Sequence, residues 1–395
     1  MVRRDNNCGY SFHGKAYAHL IDSIGERCTE KSLSVRSIAT PYSRLVGDKA
    51  YFSPVSYNQL ATIIFVIRQL LYTFRGREIA LEWENTYRVN LWCQILDKAT
   101  PKCIIGILPD KYLCQAGKIK KIPVYDLQHG VIADNHPLYG EKYQVNSRTD
   151  ALPDGYLCWN EQSVITISKW AKYKSIRVIN VGNPWFLRFI RNNPEDLLVH
   201  EAITDEYKNE DTRPCIVVTL EWGLERYYLE GNFNGVMVSA LETVILDTAK
   251  LYNWILRLHP VHLRGSEKDM VLNYLRKTFG TEEAQRWLIS SEMPLPILLR
   301  GTDLHISDIS SVVIEAAWMG IRSGLLNQNL NHGGKFENYY SYERCLGMAE
   351  VLPQDPEIIK KWINDTLAKG RGESTLNDSG QNLDFFIDEI AEKTA

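Results

Sequence analysis

The sequence predicts an α/β protein made of two doubly wound, Rossmann-like halves facing each other across a cleft. Three observations carry this. Short apolar runs alternate with helix-length segments from about residue 57 to 185. A charged stretch without strand character, "IRNNPEDLLVHEAITDEYKNEDTRP", then interrupts the pattern. From "CIVVTLEWG" onward the alternation begins again. A chain of 395 residues is too long for one compact core and suits two domains. The expected division is 1–205 for an N-terminal domain and 206–395 for a C-terminal domain with a helical tail.

In chain order, helical periodicity over 57–75 and 84–99 precedes the strand "KCIIGILP", and a short helix near 110–120 leads to the strand "IPVYDLQHG". A loop, the strand "GYLCW", a helix through "EQSVITISKWAKY" and the strand "IRVINVGNP" close the first half. The second half reads as "CIVVTLEWG", a helix over 236–251, the strand "WILRLHP", a helix near 268–278, a strand in "RWLISS" and a short helix around 295–300. It ends with "LHISDISSVVIEAAWMG", the strand "SGLLN", a helix in "DPEIIKKWINDTLAKG" and a tail that turns amphipathic and could pack back as a last helix. "LATIIFVIRQLLYTF" contains Arg68 and is too short to span ~30 Å of hydrocarbon, so it is read as a core helix.

Composition narrows the function classes. With 45% hydrophobic and 24% charged residues the chain is an ordinary globular protein, and a net charge of −3 leaves no global footprint for nucleic acid. The N-terminus has two arginines and no apolar segment behind them, unlike a secretory signal. The eight cysteines (Cys8, Cys28, Cys93, Cys103, Cys114, Cys158, Cys215 and Cys345) lack CxxC spacing and histidine partners, which predicts buried thiols, no disulfide framework and no metal. The expected location is cytoplasmic, with peripheral contact at the inner membrane left open. No GxGxxG follows the first strand, and neither a Walker loop nor a GxSxG elbow occurs, which disfavours dehydrogenase, phosphate-loop and common hydrolase chemistry.

In doubly wound sheets ligands bind beyond the carboxyl ends of strands, so residues placed there are the candidates. After "IPVYDL" come Gln128, His129 and Gly130, a histidine that can donate or accept near neutrality beside a glycine that lets backbone approach a ligand. His136 further on reads as structural. Asn183 before Pro184 shapes a turn at the end of the first half. In the second half Glu221, with Glu225 behind it, is the candidate base or nucleophile. "WILRLHPVHLRG" delivers Arg257 and presents His259 at a strand end, with Pro260 fixing the chain direction and Arg264 nearby.

Residues 304–320 read as strand, turn and helix, with Ser310 and Ser311 at the helix start. The first amides of such a helix lack intrahelical partners and carry partial positive charge, which suits a phosphate; a capping serine would satisfy the same amides with no ligand. Glu315, one turn deeper on the same face as Ser311, can accept from a ribose diol.

With "LQHG", "VGNPW", "RLHP" and "ISDISSVVIEAAWMG" in this order, the chain resembles the GT-B glycosyltransferases of bacterial capsule and lipopolysaccharide assembly that carry an HP and a Ser-Ser motif, polysialyltransferase-like and Kdo-transferase-like proteins among them. Teichoic-acid-type glycerophosphotransferases share a similar pair. The resemblance covers roughly residues 75–365 and implies that His259, Ser310 and Ser311 contact the phosphate of a nucleotide-sugar donor, a CMP-sugar first, with Arg257 and Glu315 beside it. It further implies an oligosaccharide or lipid-linked glycan acceptor, handled by His129 and Glu221 near Gln128, Gly130 and Asn183, and no cofactor or catalytic metal. A non-hydrolysing UDP-sugar epimerase and a non-catalytic assembly protein of the same fold are the alternatives.

Overall fold

The computed structural model describes residues 1–4, 9–191, 193, 195–204, 211–228, 232–263, 265–376 and 380–392. Cys8, Arg264 and part of the charged 190–213 stretch lie outside them. The strands are β1 (Val2–Arg3), β2 (Tyr10–Phe12), β3 (Lys15–Tyr17), β4 (Ile38–Ala39), β5 (Ile104–Gly106), β6 (Val124–Leu127), β7 (Gly155–Cys158) and β8 (Arg177–Asn180), then β9 (Cys215–Thr219), β10 (Asn253–Arg257), β11 (Leu304–Ser307), β12 (Arg322–Leu325) and β13 (Ala349–Val351).

Two compact units follow from the contacts. Residues 1–188 join the C-terminal helix Gly380–Glu392, and residues 189–377 form the second. The second unit thus begins before the expected boundary at 205, and the predicted tail of the second half packs on the first. Its Asp384 accepts from Arg27 at 2.7 and 3.0 Å, and its Phe386 meets Tyr125 edge to face. The supposed connection contains a helix, Leu197–Thr204, that buries Leu198 and Val199.

Both units are doubly wound. The first sheet runs β4-β1-β5-β6-β7-β8 and the second β10-β9-β11-β12-β13; every pairing in both is parallel. In each, the chain begins in an inner strand, adds one neighbour on one side and continues on the other, so the switch in winding direction lies between β1 and β5 and between β9 and β11. The second core packs Ile216, Val218, Ile255 and Ile306 of the sheet against Val244, Leu275, Trp287 and Ile363 of the flanking helices. β9 and β11 are buried throughout, as expected for strands covered on both faces.

Three expectations need correction. "RWLISS" belongs to the helix Thr281–Glu292, in which Ala284, Trp287 and Ser291 recur on one buried face. The segment read as a core helix, Asn58–Arg75, buries only Ala61 and Ile64. It forms an antiparallel hairpin with Arg77–Ala99, turning at Gly76 (φ 87°), and Arg68 meets Glu84 at 3.5 Å across it. Elements at both ends of the chain, β1 to β4 and β13, had no sequence signal.

The first unit is pinned at its start by an enclosed ion pair. Arg3 Nη2 lies 2.9 Å from Asp22 Oδ2, and the side chains are 3% and 0% exposed. Arg3 also donates to the carbonyls of Ala16 and Tyr51, and Asp22 accepts from the Ala18 amide at 2.7 Å, so β1, the hairpin β2–β3 and the helix His19–Glu30 converge on it. Breaking one side of a buried pair leaves an uncompensated charge, a loss of about 3–5 kcal/mol. Asp22→Ala is therefore expected to lower the thermal midpoint by circular dichroism far more than Asp97→Ala, which removes only the more exposed pair with Lys120.

Candidate functional site

In the second sheet Arg257 of β10 and Ser307 of β11 both align with Thr219 of β9. Counting outward from that common rung, His259, Glu221 and Asp308–Ser310 leave three adjacent strands at the same carboxyl edge. Glu221 is in the middle. β9 and β11 form the winding switch, where open α/β sheets hold their ligands.

Glu221 is partly buried as a residue, but its carboxyl is enclosed. Burial pushes its pKa up to about 8; the Ser310 hydroxyl, donating to it, opposes the rise, and the Asp308 charge adds to it. Asp308 is pushed up by burial to about 6 and accepts from the Tyr228 hydroxyl, whose ring stacks on Phe233 at 4.9 Å. At neutral pH Glu221 therefore holds its proton. A carboxyl in that form donates a hydrogen bond, whereas the base or nucleophile role expected from its position requires the ionised form. Tyr340 completes the cluster: it is 3% exposed, its hydroxyl has no hydrogen-bond partner among the described residues, and burial raises its pKa, with Glu221 and Asp308 among the neighbours that add to the rise.

His259 opens a turn, accepting at its carbonyl from the His262 amide at 2.8 Å and at Nδ1 from the Val261 amide at 3.2 Å. Nδ1 as acceptor leaves the ring hydrogen on Nε2. Burial lowers its pKa, which favours the neutral ring with its hydrogen on Nε2. His262 lies behind it, its ring centroid 6.0 Å away, with a buried, unpartnered Nδ1.

The helix start differs from expectation. The helix Val312–Trp318 is seven residues long, and Gly320 (φ 71°) ends it. Its first amides are engaged locally: Val313 donates to the Ser310 carbonyl at 3.2 Å, Ile314 to that of Ser311 at 3.0 Å, and Val312 weakly to Ser310 Oγ at 3.4 Å. The expected row of unpaired amides is largely consumed by the turn. Ser311 makes no side-chain cap, and what remains for a ligand is hydroxyl chemistry.

Arg257 and Glu315 stand further in. Arg257 donates to the carbonyls of Ser290 and Met293, both at 3.0 Å, and thereby ties the end of Thr281–Glu292 to β10. Burial lowers its pKa to about 10, and the Glu315 charge pulls the other way. Glu315 is buried, 5% exposed, so its environment is an internal counter-charge to Arg257 more than an open diol acceptor. Glu225 is exposed.

In the first unit the Gln128 amide is fully used, donating to the Gly130 carbonyl at 2.8 Å and accepting from the Trp159 amide at 2.7 Å. It sets the loop after β6 against that after β7. His129 Nδ1 lies 3.3 Å from the Tyr139 hydroxyl, and burial lowers its pKa to about 4, with His136 and Arg4 adding to the effect, so the ring is an unprotonated acceptor at neutral pH. A Cβ on Gly130 would meet open space, and its φ is not positive, so no close approach demands glycine there. Asn183 Oδ1 accepts from the amides of Trp185 and Phe186 at 3.1 Å and starts the helix Pro184–Arg191. It is a helix cap.

Sequence reasoning missed Tyr228, Tyr340 and Asp126, and gave Asp308 no part in the site. Asp126 sits in β6, accepts from the Leu108 amide at 2.8 Å and is pushed by burial to about 7. Its one sequence signal was a carboxylate inside an apolar strand. Among the described residues no group of three His, Cys, Asp or Glu is placed to hold a metal, and no helix is long and apolar enough to cross a membrane.

No family model matches the chain, and no curated protein matches its sequence. Solved structures do match in fold. UDP-GlcNAc 2-epimerase from Neisseria meningitidis, bound to UDP-GlcNAc, aligns over 95% of this chain and 96% of its own with a TM-score of 0.52 at 13% identity. A variant of the wall teichoic acid polymerase TagF soaked with CDPG aligns over 99% of this chain and 87% of its own, TM-score 0.56, 13% identity. The UDP-GlcNAc 2-epimerase of Methanocaldococcus jannaschii covers 95% and 96%, TM-score 0.54, 11% identity. The chain shares their GT-B fold of two Rossmann-like domains.

Glu221 yields a signed prediction. An unfolded glutamate titrates near ~4.3, whereas in the fold the value is about 8. Between these values the folded state keeps a proton that the unfolded state has lost, so stability falls as pH rises through the window. Glu221→Gln removes that titration. Its melting temperature relative to the natural protein should climb from pH 5 to pH 8.5, and a difference independent of pH would show that the carboxyl is already ionised.

Proposed function

We propose that the protein is a glycosyltransferase that moves a sugar from a nucleotide-activated donor, a CMP-sugar first, to a surface-glycan acceptor. The observation that carries this reading is the alignment of His259, Glu221 and Ser310 on one carboxyl edge at the winding switch of the second sheet. His259 Nε2–H and the Ser311 hydroxyl are donors suited to the donor phosphate, and Ser310, whose hydroxyl donates to Glu221, holds that carboxyl beside them. As the acceptor oxygen bonds to the anomeric carbon, the carbon–oxygen bond to phosphate breaks and the nucleotide leaves with the electron pair. Its growing charge is met by these donors. The acceptor hydroxyl gives its proton to a base in the same step, the role proposed for His129, whose neutral form burial favours. The solved structures with UDP-GlcNAc and CDPG support a nucleotide-linked ligand for the fold.

A specific observation also favours the epimerase alternative. Glu221 and Asp308 hold their protons to about pH 8 and about 6, and two neighbouring carboxyls of unequal affinity suit proton removal and return on one substrate. Incubation with UDP-N-acetylhexosamine alone separates the two readings, because epimer detected by NMR without acceptor belongs only to the second.

The direct test is thermal shift with CMP, CDP, UDP and GDP, followed by calorimetry. One nucleotide is expected to raise the melting temperature, since a ligand at ~100 times its dissociation constant adds about 2.7 kcal/mol. His259→Ala and Ser310→Ala should each weaken that nucleotide at least tenfold while retaining the fold. Failure of all four nucleotides, and of their sugar conjugates, refutes the proposal.

A further inference from the structure

The hairpin Asn58–Arg75 and Arg77–Ala99 exposes far more apolar surface than a solitary helix pair should. Ten large apolar side chains of these two helices are between 42% and 78% exposed, with Phe74 the extreme. At roughly 80–100 Å² apiece, half of what a large apolar side chain presents, they amount to about 800–1,000 Å². The largest apolar patch on a typical monomer is ~300–600 Å², and a standard stable interface takes ~800 Å² from each partner.

The pattern on the first helix identifies the occupant. Leu60, Ile63, Ile67, Leu70 and Phe74 recur at alternating spacings of three and four; all but the half-buried Ile67 are exposed, and the buried Ile64, one turn from Leu60, borders the row on its inner side. That is the a/d seam of a coiled coil, which needs another helix of matching period. Beside the seam stand Gln59, Thr62, Gln69 and Thr73, all uncharged, so two copies of this helix meet without like-charge contact. An anionic membrane would select a different surface, with basic residues flanking the apolar stripe. Here residues 58–90 carry four arginines and three glutamates, and Arg68 is turned to Glu84 on the companion helix.

We infer that this hairpin is the interface of a homodimer, two copies packing their 60–74 seams about a two-fold axis. The self-complementary seam makes the contact isologous and closed, and it removes from water the apolar stripe that the protein's own core leaves uncovered.

Sedimentation velocity on the full-length protein over a micromolar range tests this, expecting a species of two 45.4-kDa chains. Ile63→Glu and Leu70→Glu change exposed seam positions and should raise the dimer dissociation constant at least a hundredfold with the circular dichroism spectrum unchanged. Phe65→Gln, off the seam, should shift it less than threefold. A chain that stays monomeric at high concentration overturns the inference, whether or not it then binds vesicles of anionic phospholipid. A dimer indifferent to both seam variants does so too.

Discussion

The arrangement of the second unit depends on a buried polar ladder that locks the register of three strands. His305, fully enclosed in β11, uses both ring nitrogens, one 2.8 Å from Thr219 Oγ1 of β9 and the other 2.8 Å from Ser323 Oγ of β12. Thr219 also donates to Ser307 Oγ at 2.9 Å. Burial lowers the histidine pKa to about 3, so the ring stays neutral and the ladder needs no counter-ion. A slip of one residue would turn every side chain of β11 to the other face and take these partners from four buried polar side chains, His305, Thr219, Ser307 and Ser323. Because Thr219 and Ser307 share a rung with Arg257, the same ladder fixes where Glu221, Asp308 and His259 emerge.

Burial then decides what those groups can do. Position at a strand end brings a carboxyl or an imidazole to the edge, but the surrounding apolar core moves each toward its neutral form: Glu221 and Asp308 upward, His259 and His129 downward. The edge is shifted toward neutral donors and acceptors, with Asp308, at about 6, the carboxyl that ionises below neutrality and the formal cation Arg257 withdrawn behind it to hold the helix Thr281–Glu292. Directed hydrogen bonds from such a set can orient a ligand, whereas net charge would attract without orienting.

Much of the fold was legible because parallel strands buried on both faces appear as compact apolar runs, and β5 to β12 all did. The failures share a cause. β1 and β4 are two residues each, too short for any period, and "RWLISS" looks like a strand only in a six-residue window that hides the helical recurrence of Ala284, Trp287 and Ser291. For the site, the strand-end rule located His259, Glu221 and Ser310, yet it could not find Tyr228 and Tyr340, which reach the same carboxyls from loops brought near only by the tertiary fold. Nor could it tell that Gln128 and Asn183 spend their amides on local backbone.

The hairpin marks a further limit with its own physical content. Apolar periodicity states which face of a helix avoids water, and says nothing about what covers that face. In Asn58–Arg75 the strip facing the unit is narrow, Ala61 and Ile64, while the wider strip points outward. A helix held by so small an inner face gains little from its own domain; most of its apolar area can be buried only by something else. A glutamate of the companion helix supports the same view: Glu84, 5% exposed and bonded to Arg88 at 2.8 Å with Arg68 at 3.5 Å, links the two helices by charge. Tying the two helices together in this way lowers the freedom left to lose on association, the condition under which a modest area yields a stable contact.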